Sequence, residues 1–126
     1  MSADKRRHRG AHPEDEKLFN QSCIKKLCTA VYELSWLLSR GYSQRSALKI
    51  VGDRHSLSER QRLAVARASS SEQERELRLT KKVEIEQVSN EIVNIDGFNT
   101  IITLEAALGG GILLRCPDSC FRDLSS

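Results

Sequence analysis

The stretch from residue 92 to residue 111 constrains the fold of this chain more than any other. Residues 92–95 are mostly β-branched, which is typical of a buried strand. Residues 98–108 are mostly apolar and long enough for about three helical turns, and the three glycines at 109–111 end that helix. Residues 112–114 are again compatible with a strand. We therefore predict a β-α-β unit with two parallel strands, because the connection has the length that a crossover requires.

Polar residues follow the first predicted strand directly. Asp96 ends that strand, Gly97 gives the backbone a conformation closed to other residues, and Asn99 lies in the turn that opens the helix. Ligands bind beyond the carboxyl ends of parallel strands, so Asp96 is a candidate ligand for a hard cation such as Mg²⁺. The alternative is that Asp96 or Asn99 only caps the helix.

Three segments of the chain carry a resemblance to a known family. They read RGAHPEDEKLF, LSWLLSRGYSQRSALKIVGDRHSLSERQRLAVARASSS and IDGFNTIITLEAALGGG. Together they closely resemble the prokaryotic family called domain of unknown function 434, over residues 9–126. The Asp-Gly-Phe-Asn run at 96–99 also resembles the motif that ends the first strand of PIN-like and NYN-type nuclease domains. The resemblance implies a helical N-terminal region followed by the start of an incomplete α/β, PIN-like domain.

Two further acids would complete a metal site in such a domain. Asp118 and Asp123 follow the second predicted strand and would emerge at the same edge of the sheet as Asp96. Three converging carboxylates could hold Mg²⁺ or Mn²⁺, with Asp96 as the metal ligand and all three acids as catalytic residues. Asp118 equally fits a plain Pro-Asp turn.

Composition narrows the possible classes of protein. The 126-residue chain has a formal charge of +3 and no apolar run of the roughly 20 residues that span a membrane. Its basic N-terminus lacks the apolar core of a secretory signal, so we expect a cytoplasmic protein without a membrane partner. The four cysteines lack the spacing of a zinc site, and we expect free thiols and no zinc.

Charge and helix signals divide the chain into four regions. We predict a basic disordered tail over residues 1–13, a helical domain over 14–71 and a charged connector over 72–90. The predicted β-α-β segment occupies residues 91–126. The overall prediction is therefore a mainly α-helical protein with a short β-α-β unit at its C-terminal end.

The middle of the helical domain is basic. Between residues 40 and 67 only Asp53 and Glu59 oppose seven basic residues: Arg40, Arg45, Lys49, Arg54, Arg60, Arg62 and Arg67. Two short helices joined by a turn invite a weak comparison with a helix-turn-helix. Lys49, Arg54 and Arg60 could bind the phosphates of RNA or DNA. The alternative is that these cations are solvated and that their stems cover apolar neighbours.

Local signals predict the boundaries of three helices. Gly41 ends the first of them with a glycine in the left-handed position. Ser43 caps a short second helix, and Ser58 and Gln61 have the spacing of a capping box at the start of a third.

The longest predicted helix covers residues 22–39. Its apolar residues recur at spacings of three and four, which predicts one buried stripe. Tyr32 and Trp36 lie four apart and off that stripe. They could cover a second neighbour in the core or form a platform for stacking nucleic-acid bases.

Two functions follow from these patterns. The first is a nuclease-like, metal-dependent protein acting on RNA or DNA, of which this chain would be the N-terminal part and inactive by itself. The second is a non-catalytic, helical module that binds nucleic acid or serves as an adaptor. The number of converging carboxylates distinguishes them, since metal-dependent cleavage of this kind needs three or four.

Overall fold

The computed structural model describes residues 10–125, so residues 1–9 of the predicted disordered tail lie outside the described part of the chain. The elements are mainly helices, as predicted. They run in the order α1 Asp15–Leu18, α2 Gln21–Ser39, α3 Gln44–Arg54, α4 Glu59–Ala68, α5 Glu72–Lys81, α6 Ile85–Val88, α7 Gly97–Leu108, β1 Leu113–Arg115 and β2 Phe121–Asp123.

The core lies where α2, α3 and α4 pack together. The predicted apolar stripe of α2 supplies its centre, because side chains three and four positions apart share one helix face. The largest fully buried side chains are Leu34, Val51 and Val65, one from each helix. The buried cluster consists of Leu27, Ala30, Leu34, Ala47, Val51, Leu57 and Val65.

Local capping sets the helix boundaries in this region. The Ser43 hydroxyl accepts a hydrogen bond from Ser46 N–H, and Ser58 forms the predicted capping box with Gln61. Gly41 has a φ of +90°, the left-handed conformation predicted for the end of α2. These contacts satisfy backbone groups that the helices themselves leave unpaired.

The turn between α3 and α4 is fixed by Arg62. Its Nε donates to the Leu57 carbonyl at 2.9 Å, and its Nη2 lies 2.9 Å from a carboxylate oxygen of Asp53. A Cβ at Gly52 would lie 2.5 Å from the guanidinium of Arg62. Glycine is therefore the residue that lets this arginine pass close to the backbone of α3.

The stretch predicted as a charged connector contains two helices. In α5 no residue is buried, and Ser71 caps its first turn. The short helix α6 lies in the later part of the same stretch. Glu72 N–H donates to the Ser39 hydroxyl at 2.9 Å, which holds the start of α5 against the end of α2.

The predicted parallel β-α-β unit is wrong. Residues 92–96 form no strand, whereas α7 and a strand at Leu113–Arg115 are present. That strand pairs antiparallel with β2, in the register Leu113↔Asp123, Leu114↔Arg122 and Arg115↔Phe121. Residues 92–95 have no strand to pair with, because Leu113–Arg115 pairs instead with β2, to which a short link joins it as a hairpin.

The C-terminal unit contacts the helical region and the N-terminal end of the described chain. The hairpin packs on α7 and on α4, and Ala11 N–H donates to the Gly109 carbonyl at 3.2 Å. Within residues 10–125, no helix is both long enough and apolar enough to cross a membrane.

Candidate functional site

The most distinctive exposed surface of the helical region follows one side of α2. Lys25, Thr29, Tyr32, Trp36 and Arg40 recur at spacings of three and four, so they form a continuous stripe opposite the buried one. Tyr32 is 71% exposed and Trp36 is 47% exposed. We call this set the α2 stripe. The pair predicted to cover a second core neighbour or to form a stacking platform is therefore open to solvent.

A cation lies over the second aromatic ring of the α2 stripe. The guanidinium carbon of Arg40 is 4.5 Å from the centroid of the Trp36 ring. Attraction between a cation and the face of an indole contributes about 0.5–1 kcal/mol at exposed sites. The contact restricts the rotamers of Trp36 and places a positive charge beside its π-surface.

A shallow pocket of about 350 Å³ joins the α2 stripe to α3. Its walls are formed by Tyr32, Glu33, Trp36, Leu37, Ile50, Val51 and Arg54. Glu33 is its acidic member, and one carboxylate oxygen lies 3.5 Å from Arg54 Nη1 and 3.3 Å from His55 Nε2. The carboxylate thus anchors the end of α3 to α2 while Arg54 remains mostly in solvent.

The three predicted phosphate-binding cations have different environments. The side chains of Lys49 and Arg54 are 78% and 69% exposed, with single carboxylate contacts to Asp53 and Glu33. Exposed pairs of this kind are weak and exchange readily with other anions. Both cations are therefore available to a ligand, and Arg54 lines the pocket beside Tyr32 and Trp36.

Arg60 is engaged in a structural ion pair instead. Its Nε and Nη2 lie 2.6 Å and 3.2 Å from the two carboxylate oxygens of Asp15, a bidentate arrangement. Burial opposes ionisation of Asp15, but the hydrogen bonds from Arg60 and from His12 N–H and the positive charge of Arg60 together outweigh it, so the pKa of Asp15 is lowered. This pair fastens α1 to α4.

Asp96 is the N-cap of α7. Its carboxylate accepts from Asn99 N–H at 3.4 Å and from the Asn99 side-chain amide at 2.7 Å, and both residues are exposed. Gly97 is the first helical residue, its φ is not in the left-handed region, and no atom lies within 4 Å of where its Cβ would be. The predicted need for glycine at this position is therefore wrong, because an ordinary helix start replaces the strand end.

Asp118 is a buried carboxylate paired with two partly exposed arginines. Its side chain is fully buried and contacts Arg122 at 2.6 Å and 3.0 Å and Arg78 at 3.1 Å. It also accepts from Cys120 N–H at 3.1 Å, as an Asp in a turn does. The hydrogen bonds from Arg122 hold the pKa of Asp118 far below its usual range, against the effect of burial.

Asp123 faces the other side of the hairpin. Its carboxylate oxygens accept from the Thr103 hydroxyl and from Ser125 N–H, each at 2.9 Å, and its carbonyl accepts from Arg67 at 2.8 Å. Burial opposes ionisation of this group, but the hydrogen bonds of Ser125 and Thr103 outweigh it and the pKa of Asp123 is lowered. These contacts connect the hairpin to α7 and α4.

The three predicted catalytic acids therefore have separate structural roles. Thr103, the partner of Asp123, is seven positions beyond Asp96 on α7, which corresponds to about 10 Å along the helix. Asp118 is occupied by two arginines. Among residues 10–125, no group of three or more His, Cys, Asp or Glu side chains could hold a metal ion. The described residues thus do not offer Mg²⁺ or Mn²⁺ the carboxylate cluster that the resemblance implies.

The cysteines are free thiols. Cys116 is buried at the start of the hairpin turn, and burial raises the pKa of its thiol. Cys120, at the other end of that turn, is exposed. A thiol that stays protonated is a poor metal ligand and a poor nucleophile.

Sequence reasoning missed three residues of these clusters. Arg40 could have been found, because it lies four positions after Trp36 on the same helix face. Arg78 and Asp15 could not, since their partners Asp118 and Arg60 are 40 and 45 positions away. Only the fold brings these pairs together.

Comparisons with known proteins agree with the resemblance at the level of the family. Residues 26–81, from α2 to the end of α5, match the family described as "Protein of unknown function (DUF434)". Residues 85–126 match a second family, described as "Domain of unknown function (DUF5616)". Neither description states a nuclease activity or a PIN-like fold.

An uncharacterized protein of Methanocaldococcus jannaschii is similar to most of this chain. The two sequences are 32% identical over 94 residues, which cover 75% of this chain and 45% of that protein. The chain thus spans less than half the length of this curated relative. No solved structure matches the chain.

Proposed function

We propose that this chain is a helical module that binds single-stranded RNA or DNA on the α2 stripe and the adjoining surface of α3. The observation that supports this most directly is the exposed pair Tyr32 and Trp36, with Arg40 over the indole ring. Exposed aromatic side chains beside cations are the combination that single-stranded nucleic acids require.

The two rings supply the stacking surface. They lie one helical turn apart, and bases that are not paired in a duplex can stack on such side chains at about 1–3 kcal/mol per base. Double-stranded nucleic acid hides its bases from these rings. The aromatic pair therefore favours single strands over duplexes.

The cations supply the contacts to the phosphates. Lys25 and Arg40 lie towards the two ends of the α2 stripe. Arg54 of α3 lines the pocket beside Tyr32 and Trp36, and Lys49 is a further exposed cation of α3. Each phosphate neutralised by a cation releases counterions, so binding weakens as salt increases. The proposed interface thus combines stacking, which tolerates any sequence, with contacts to the backbone, which carry no sequence information.

A short labelled RNA of about 12 nucleotides, followed by fluorescence anisotropy, tests the proposal. Trp36→Ala should weaken binding about 10-fold, the equivalent of one lost stacking contact. Trp36→Phe should retain most of the affinity, because it keeps an aromatic face. The matched control is Ile85→Ala, which removes a side chain of α6 that is also exposed. Equal affinity of all four proteins for the RNA would overturn the proposal.

The second candidate is the nuclease-like, metal-dependent activity that the resemblance implies. Its support in the structure is Asp96, an exposed carboxylate beside the Asn99 amide at the start of α7. A single carboxylate binds Mg²⁺ weakly, because this ion retains its waters tightly. Binding of nucleic acid by the α2 stripe requires no such ion, and it is the function that the geometry supports better.

A further inference from the structure

Helix α7 exposes a stripe of large apolar side chains. Phe98 is 86% exposed and Leu108 is 90% exposed, and Ile101 and Leu104 between them are also more than half exposed. The opposite side of the helix packs on the hairpin, where Ala106 is buried. We call these four side chains the α7 stripe.

The segment before α7 also exposes large apolar side chains. Ile92, Val93 and Ile95 are each more than half exposed. Nothing in residues 10–125 covers these side chains or those of the α7 stripe. Stable monomers rarely expose contiguous apolar surface of this size, so the surface marks a site of association.

We infer that the α7 stripe is the face on which two copies of this chain associate, with the two helices antiparallel about a two-fold axis. The spacing of the stripe supports a second copy as the occupant. An antiparallel two-fold places Phe98 of one copy against Leu108 of the other, and Ile101 against Leu104, because both pairs share nearly the same midpoint along the helix. The α7 stripe of one copy is therefore complementary to the α7 stripe of the other.

Charge is compatible with this arrangement. Helix α7 contains no Lys or Arg, and Glu105 is its single acidic residue. The side chains at the centre of the stripe, Ile101 and Leu104, are uncharged. Glu105 is exposed on the same side of the helix, four positions after Ile101 and three before Leu108, so each copy brings one acid to the polar rim of the interface. Depletion of charge at the centre is typical of the core of a protein–protein interface.

The available area is also sufficient. The α7 stripe with Ile92 and Ile95 supplies on the order of 600 Å² of apolar surface per copy, at roughly 100 Å² for each side chain. A stable interface buries about 800 Å² per partner, of which somewhat more than half is apolar. Two copies of this surface therefore meet the requirement of a stable dimer without a contribution from another region.

Sedimentation equilibrium of the full chain tests the inference. The wild-type protein should be a dimer at micromolar concentration, and Ile101→Lys and Leu104→Glu should each be monomeric, since each variant buries an unpaired charge twice. The matched control is Ile85→Lys, which changes an exposed apolar side chain outside the α7 stripe and should leave the dimer intact. Far-UV circular dichroism should show that all variants retain the helical content of the wild type.

A mixture of the two monomeric variants gives the decisive result. Ile101 of one copy faces Leu104 of the other, so Lys and Glu at these positions form an ion pair across the two-fold and a dimer should reappear. A wild-type chain that stays monomeric at about 100 μM, far above the dissociation constants of stable dimers, would overturn the inference. So would an Ile101→Lys variant that remains dimeric, or a mixture that stays monomeric.

Discussion

The guanidinium of Arg40 lies over the indole ring of Trp36, with 4.5 Å between its central carbon and the ring centroid. This contact joins the exposed aromatic pair of α2 to the basic region that begins at the end of the same helix. It holds the ring with one face covered by a cation. The other groups of the proposed interface lie on either side of it.

Replacing Arg40 with Gln should weaken RNA binding about threefold, because the variant loses a contact to a phosphate, and an exposed ionic contact contributes about 0.2–1 kcal/mol. Arg40→Lys should lose less, since it retains the charge. Anisotropy measurements at a fixed salt concentration compare the three proteins. An Arg40→Gln variant that binds as tightly as the wild type would exclude Arg40 from the interface.

Binding should depend steeply on salt. With three to four cations at phosphates, the logarithm of the association constant should fall with the logarithm of the salt concentration at a slope of about −2 to −3 for single strands. The double variant Lys49→Gln and Arg54→Gln should reduce the steepness by about 1.4, or about 0.7 for each phosphate contact. If the wild type and the double variant show the same slope, the phosphates are contacted by residues other than Lys49 and Arg54.

Arg60→Gln provides the matched control among the basic residues. Removing the guanidinium of Arg60 should lower the free energy of unfolding, because Asp15 would be left buried without its bidentate partner. RNA affinity under folding conditions should stay close to that of the wild type. Urea unfolding measures the first effect and anisotropy the second. Weaker RNA binding by a stably folded Arg60→Gln protein would instead support the phosphate contact predicted from sequence.

Asp118→Asn should destabilise the protein by about 1–3 kcal/mol, because a neutral amide satisfies only part of the hydrogen bonds that the buried carboxylate accepts from Arg122 and Arg78. Arg122 and Arg78 would both lose their carboxylate, and the hairpin would lose its link to α5. Urea unfolding at neutral pH measures the change in the free energy of unfolding. A loss below about 0.5 kcal/mol, the range of ordinary surface substitutions, would show that the cluster contributes little.

The same carboxylate gives the protein a predictable acid sensitivity. The pKa of Asp118 is lowered in the folded state, so its contribution to stability is fully present above the unfolded pKa of about 3.9 and decreases as the pH falls further. The wild type should therefore lose stability between about pH 4 and pH 2 more steeply than Asp118→Asn. Urea unfolding across this pH range measures how the free energy of unfolding of each protein changes with pH. If the wild type and Asp118→Asn change equally, the acid sensitivity does not come from Asp118.

Asp96 should bind Mn²⁺ weakly if it binds at all, because it is one carboxylate without acidic neighbours in the described chain. Paramagnetic broadening of amide signals in an NMR titration should centre on residues 96–99 and disappear in Asp96→Asn. The control is Asp53→Asn, which removes another exposed carboxylate. Broadening near residue 96 that survives Asp96→Asn would mean that Asp96 only caps α7.

The sequence alone predicted those features of the fold that depend on residues close to one another along the chain. The stripe of α2, the caps at Ser43 and Ser58 and the glycine at residue 41 were predicted correctly, since each depends on residues within one or two turns. The mainly helical fold follows from these signals. Local periodicity and capping thus account for the part of the fold that carries the α2 stripe.

The C-terminal unit could not be predicted in the same way. Residues 92–95 have the composition of a strand, but a strand exists only where another strand pairs with it, and the described chain supplies none there. The predicted convergence of Asp96, Asp118 and Asp123 depended on that strand. Asp118 was more simply explained by the turn and by Arg122, four positions later.

The emission of the single tryptophan tests the central claim most directly. The chain contains one Trp, so its fluorescence reports on Trp36 alone and needs no label. Titration with a short single-stranded RNA should quench this emission to saturation, with a midpoint that shifts to higher RNA concentration as salt increases. Tyr32→Ala should shift the midpoint about 10-fold, for one lost stacking contact. Emission that does not change while anisotropy reports binding, or no binding by either measurement at low salt, would contradict the proposed function.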